Sequence, residues 1–137
     1  MVVFEFCAEN LTLLDKAIAA GASRIELCDN LAVGGTTPSI GVIKEALKLT
    51  REKSVDLCVI IRPRGGDFVY TDLEVQAMLA DIRAAKEIGV TCFVLGALTG
   101  DRKLDQGLMQ LLLAACGEAE VVFHMAFDEL AHTDQLE

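Results

Sequence analysis

Short apolar runs alternate with longer stretches of helical periodicity along the whole chain, and the two periods divide it into strands and helices. Residues 2–8 read as a first strand, and the helix after it carries Leu13, Leu14, Ala17 and Ile18 on one face and stops at Gly21. Residues 24–28 are the second strand. A polar loop over 29–36 leads to a helix with Thr37 as N-cap and Pro38 as first residue, turning Ile40, Val42, Ile43, Ala46 and Leu47 inward. The third strand spans 57–62. Thr71-Asp72-Leu73-Glu74 is a capping-box pattern that opens the third helix, which buries Val75, Met78, Leu79, Ile82 and Ala85 and stops at Gly89. Residues 91–98 form the fourth strand, 105–116 a fourth helix and 120–127 a fifth strand; the polar remainder, 128–137, reads as the start of another helix or a frayed end.

An internal repeat supports this division. Residues 17–27 and 85–95 share the frame Ala-x-x-x-Gly-(Ala/Val)-(Ser/Thr)-x-(Ile/Phe)-x-Leu, a helix end running into a strand start. Repeated αβ units imply parallel strands with helical crossovers, hence an open doubly wound sheet or a (β/α) barrel. No Gly-x-Gly-x-x-Gly follows the first strand, which removes the best argument for a dinucleotide-binding sheet.

Period-two alternation gives each strand two faces. One is apolar: Phe4, Phe6, Ile25, Leu27, Val59, Ile61, Phe93, Leu95, Val121 and Phe123. The other carries Glu5, Cys7, Glu9, Glu26, Cys28, Cys58, Ile60, Arg62, Cys92, Val94, Gly96, Val122, His124 and Ala126. In a flat sheet covered on both sides these charges would be buried against helices, whereas in a barrel they face the lumen. Buried charges need partners, so Glu5, Glu26, Arg62 and His124 are expected to form a network in which Arg62 contacts Glu5 or Glu26.

Composition narrows the partners. With 12 basic and 21 acidic residues the net charge is -9, which argues against nucleic acid or an anionic membrane, so any anion must be held by local groups. No apolar run reaches the roughly 18 residues of a membrane span, and no basic region precedes the first apolar stretch, so a soluble, cytoplasmic protein is expected. The 5 cysteines, an odd number, are expected as free thiols.

Ile-Ile-Arg-Pro-Arg-Gly-Gly-Asp-Phe, at residues 60–68, is a strand opening onto a polar loop. Arg62 and Arg64 offer planar donor forks for carboxylate or phosphate, and Gly65-Gly66 allows close backbone approach, which together describe an anion site. The alternative is that Arg62 neutralises internal acids and the glycines only turn the chain. A second pattern is the repetition of Phe4-Glu5-Phe6-Cys7 in Ile25-Glu26-Leu27-Cys28. In matched register the glutamates would form one layer and the cysteines the next, placing two thiols where a soft metal such as Cu(I) could bind. Free cysteines are more often small core residues; the glutamates could instead supply a hard-metal site or a general base, and a lone histidine such as His124 is more often a hydrogen-bonded core residue than a ligand.

Glu5-x-Cys7, the run from Gly21 to Cys28, Gly34-Gly35-Thr36-Thr37-Pro38-Ser39, the run from Ile61 to Phe68, and Phe123-His124-x-Ala126-Phe127-Asp128 together resemble the CutC copper homeostasis family. The resemblance implies a TIM-type (β/α) barrel, a cytoplasmic location, a role in handling copper, and Cys7 and Cys28 as Cu(I) ligands. Where the family pattern reads His-Arg-Ala-Phe-Asp this chain has Met125, expected on the face opposite His124. A (β/α)8 barrel takes about 250 residues, so residues 1–137 are expected to be a single domain, the N-terminal portion of such a barrel, truncated after about five strands. Its edge strands and the lumen face with Val94, Val122 and Ala126 would then be exposed, making the chain a homo-oligomer or dependent on a missing C-terminal portion. Three functions compete: a Cu(I)-binding homeostasis protein using Cys7 and Cys28, an enzyme acting on a small anionic ligand through Glu5, Glu26, His124, Arg62 and Arg64, and a non-catalytic remnant.

Overall fold

The computed structural model describes residues 2–131. Five strands, β1 (Glu5–Glu9), β2 (Arg24–Cys28), β3 (Asp56–Ile60), β4 (Cys92–Leu95) and β5 (Glu120–Phe123), form one sheet in the order β1-β2-β3-β4-β5. Every neighbouring pair is parallel, and α1 (Leu14–Ala19), α2 (Ile40–Glu52), α3 (Asp72–Glu87) and α4 (Gln106–Cys116) make the crossovers. A doubly wound sheet reverses its strand order at a switch point; this one never reverses, which is the order of a TIM-type barrel.

The sheet is also curved. Arg24 Nη1 of β2 lies 3.5 Å from Glu120 Oε1 of β5, although β3 and β4 stand between them. Three strand steps in a flat sheet span about 14 Å, and side chains that stand off a flat face do not meet across that distance. The face bearing them is therefore concave.

Helices cover the convex face. Ile25, Leu27, Val59, Ile61, Phe93 and Leu95 are fully buried there against Met78, Ile82 and Leu112. Phe4 and Phe6 lie on the expected apolar face but are not buried there. They are 65% and 36% exposed because β1 is a sheet edge, and with Leu13 and Ala17 they line an open groove of about 560 Å³. The expected exposure of the concave face is overturned for two of its three residues: Val94 and Ala126 are buried at 2% and 0%, Val94 against Cys58, Cys92 and Ile60, and Ala126 against Phe68 and Leu98, while Val122 is half-buried.

Local hydrogen bonds shift several boundaries. Ser39, not Thr37, caps α2, its hydroxyl accepting the Val42 N–H at 3.2 Å, because the Thr37 hydroxyl accepts the Arg62 N–H at 2.9 Å. The capping box at Thr71 and Glu74 forms as read. β5 ends at Phe123, four residues early, since His124 Nδ1 accepts the Ala126 N–H and winds residues 125–129 into a 3-10 turn. Strand alternation stops there. Met125 consequently does not continue on the helical face but leans over the loop after β2. Of the polar tail, residues 132–137 lie outside the described residues.

Candidate functional site

Cys7 and Cys28 lie on the same concave face of adjacent parallel strands, but not in matched register. Cys7 pairs with Glu26 and Glu9 with Cys28, a two-residue offset that preserves the face while breaking the expected layers. The two thiols are diagonal neighbours rather than directly opposite, yet they still meet, with Cys7 Sγ 3.7 Å from Cys28 Sγ and Cys28 Sγ 3.9 Å from Glu26 Oε1. One ligand atom from each of Cys7, Glu26 and Cys28 falls within a sphere of contacts no longer than 4.8 Å. Cys7 is exposed and Cys28 buried, so the cluster opens to solvent on one side.

The two sulfurs are coupled through one hydrogen bond. The Cys28 thiol donates to Cys7, which lowers the Cys7 pKa and raises that of Cys28; burial and the Glu26 charge push Cys28 further up. Glu26 is itself raised, first by burial and then by the charge of Glu5. Glu5 pairs with Arg24, which stands directly opposite it and also reaches Glu120. Arg24 is a basic group that the sequence reading missed. It shares the parity of Glu26 and Cys28, and that was signal enough to place it on the concave face.

Arg62 does not contact Glu5 or Glu26. Its guanidinium, in a residue 2% exposed, donates from Nη1 to the carbonyls of Val33 at 2.6 Å and Gly35 at 3.0 Å, and from Nη2 to that of Gly66 at 2.8 Å. The physical reason is position: Arg62 lies beyond the end of β3, level with the loop after β2, whereas the glutamates lie lower on β1 and β2. Arg62 thus pins the Gly34-Gly35 loop over the thiols. Gly35, at φ +97°, passes so close that a Cβ would meet Cys28 Sγ at 3.2 Å, which explains a glycine at this point. Arg64 is also engaged, its Nε and Nη2 gripping the Glu74 carboxylate at 2.8 and 3.1 Å while Nη1 lies 3.0 Å from Asp67.

His124 follows β5 and packs beside Phe68, ring centroids 4.9 Å apart, while the Arg62 guanidinium lies 4.9 Å from the centre of the same phenyl ring. A Cβ on Gly96 would come within 2.9 Å of His124 Nδ1, so the β4 end must be bare for the imidazole to fit. Burial, and next the Arg62 charge, lower the His124 pKa to about 4. Among the described residues the buried side-chain polar atoms without a hydrogen-bond partner are Arg62 Nε, Tyr70 Oη and His124 Nε2. Tyr70 was not singled out by its sequence context.

The expectation of five free thiols is corrected. Cys58 and Cys92 form a disulfide between β3 and β4, their Cα atoms 4.5 Å apart, because the pairing of Val59 with Phe93 sets the preceding residues opposite one another on the concave face. Cys7, Cys28 and Cys116 remain free.

Comparison with known proteins gives one consistent result. The model of the CutC family matches residues 2–136. A Streptococcus pyogenes family protein CutC is 56% identical over 129 residues, 94% of this chain and 62% of that protein. A Homo sapiens protein named copper homeostasis protein cutC homolog is 44% identical over 126 residues, 92% of this chain and 45% of its own length. The crystal structure of CutC from Streptococcus agalactiae superposes with a TM-score of 0.93 at 52% identity, covering 98% of this chain and 64% of that one. The chain therefore spans less than two thirds of the length of these relatives.

Proposed function

The chain belongs to the CutC copper homeostasis family, and on that premise we propose that it binds Cu(I) as cargo through the thiolates of Cys7 and Cys28. The observation that carries this reading is the 3.7 Å separation of the two sulfurs. Thiolates bound to one d10 ion such as zinc at about 2.3 Å, with a tetrahedral angle, stand about 3.8 Å apart. Little rearrangement is then needed for one ion to take both. Two soft sulfurs with at most one carboxylate favour Cu(I), which accepts few soft ligands, over metals that demand four or six donors. Cys7 faces solvent and receives the ion; Cys28 is held in place beneath the Gly35 backbone. A cytoplasmic setting belongs to the same reading; Cys7 and Cys28 are reduced as it requires, whereas the Cys58–Cys92 disulfide is of a kind rare in that compartment. No helix of the described residues is long and apolar enough to cross a membrane.

Protons and metal compete for the sulfurs. Cys28, whose pKa is raised, keeps its proton above the lowered pKa of Cys7, so each Cu(I) must displace at least that one proton. Lower pH therefore weakens binding. Anaerobic titration against a competing chromogenic chelator should show one Cu(I) per chain, with apparent affinity rising about tenfold per pH unit for each proton displaced. Binding that ignores pH, or no competition at all, would remove the thiol pair as the site.

A further inference from the structure

A second group of side chains, separate from the thiols, lies at the carboxyl ends of β3 and β5, where TIM-type barrels place their ligand sites. Each of its unpartnered atoms has a proton to donate. Arg62 Nε is a donor. His124 Nδ1 accepts the Ala126 N–H at 3.2 Å, which fixes the imidazole proton on Nε2 and makes that atom a donor as well. The Tyr70 hydroxyl, a donor and an acceptor, lies close enough to Arg62 to interact with its guanidinium, yet no neighbour stands in good hydrogen-bond geometry to it, so its proton is free for a ligand. Buried donors without acceptors are costly, and here three surround one phenyl ring, Phe68.

The charge is unbalanced too. Arg62 is 2% exposed and its described partners are carbonyl oxygens, with no carboxylate among them. We propose that Arg62, Tyr70 and His124 bind a small monocarboxylate, whose oxygens accept from Arg62 Nε, Tyr70 Oη and His124 Nε2 while its apolar part lies against Phe68.

A single negative charge is favoured over the double charge of phosphate by simple balance. Arg62 supplies one positive charge, while His124, with its pKa lowered to about 4, and Tyr70, raised to about 12 chiefly by burial, are both neutral near pH 7. A dianion would leave one charge uncompensated in a low-dielectric site. Met125, 38% exposed, lies with its flexible thioether over Gly34 beside Arg62 Nη1.

The test is a nuclear magnetic resonance titration of the whole chain, following the Arg62 Nε–H and His124 ring signals as sodium acetate, sodium benzoate or inorganic phosphate is added at constant ionic strength. Saturable shifts with the carboxylates, and weaker or no shifts with phosphate, are expected. Tyr70→Phe should weaken carboxylate binding about tenfold, as loss of one hydrogen bond to a charged acceptor does. Because that hydroxyl has no internal partner, the same variant should unfold at an equal or higher temperature. The proposal is overturned by the absence of saturable shifts with both carboxylates, by tighter binding of phosphate, or by a Tyr70→Phe variant that keeps its affinity. None of these outcomes depends on copper binding.

Discussion

Replacing Cys7 and Cys28 together by serine is expected to abolish high-affinity Cu(I) binding, lowering it by more than the roughly 10- to 100-fold lost when only an outer partner of a metal ligand is removed. Serine keeps the size of the side chain and substitutes a hard oxygen for a soft sulfur, so the comparison isolates ligand chemistry. Each single variant leaves one thiol beside Glu26 and should retain intermediate affinity. The fold should survive, since Cys7 is exposed and the Cys28 thiol already makes polar contacts. Competition titration of all three variants, with circular dichroism to confirm folding, checks the order. Undiminished affinity in a folded double variant would rule out these thiols.

Arg62→Met should destabilise the fold strongly. Two effects oppose each other. Removing a buried charge that no carboxylate offsets is favourable, and a well-packed apolar replacement of buried ions is often neutral or better. Against that, the carbonyls of Val33, Gly35 and Gly66 lose their donor together, and each unsatisfied group costs about 1–3 kcal/mol. The second effect is the larger, and a net loss of about 3 kcal/mol is expected, a large part of the 5–15 kcal/mol typical of a domain. Because the same carbonyls hold the loop over Cys28, Cu(I) affinity should fall as well. Urea unfolding measures the first effect; a loss below about 1 kcal/mol would mean that the carbonyls find other donors.

The sheet and its concave face were readable because they rest on periodicity. Alternation put Cys7, Glu26 and Cys28 on one side, and a two-residue shift in register left that assignment intact. Register itself was not readable, since the repeated Glu-x-Cys pointed to a pairing that the backbone does not adopt. The same limit hid the disulfide. Cys58 and Cys92 are 34 residues apart with no local motif, and only the pairing of β3 with β4 makes them neighbours. Arg62 was correctly placed at a strand end with a buried charge, but the rule that buried charges seek opposite charges pointed to Glu5 and Glu26. Backbone carbonyls met that need instead, and a strand pattern carries no information about which loop will fold over it. Tyr70 was invisible for a similar reason: its hydroxyl matters through what it fails to contact.

Copper K-edge X-ray absorption on the Cu(I)-loaded chain examines the thiol pair most directly, because it identifies the atoms bound to the metal. Scattering dominated by sulfur, reduced to nitrogen or oxygen neighbours in the Cys7→Ser, Cys28→Ser variant, is the expected result. A first coordination sphere of nitrogen and oxygen in the unaltered chain, or sulfur scattering that persists unchanged in the double variant, would contradict Cu(I) binding by Cys7 and Cys28.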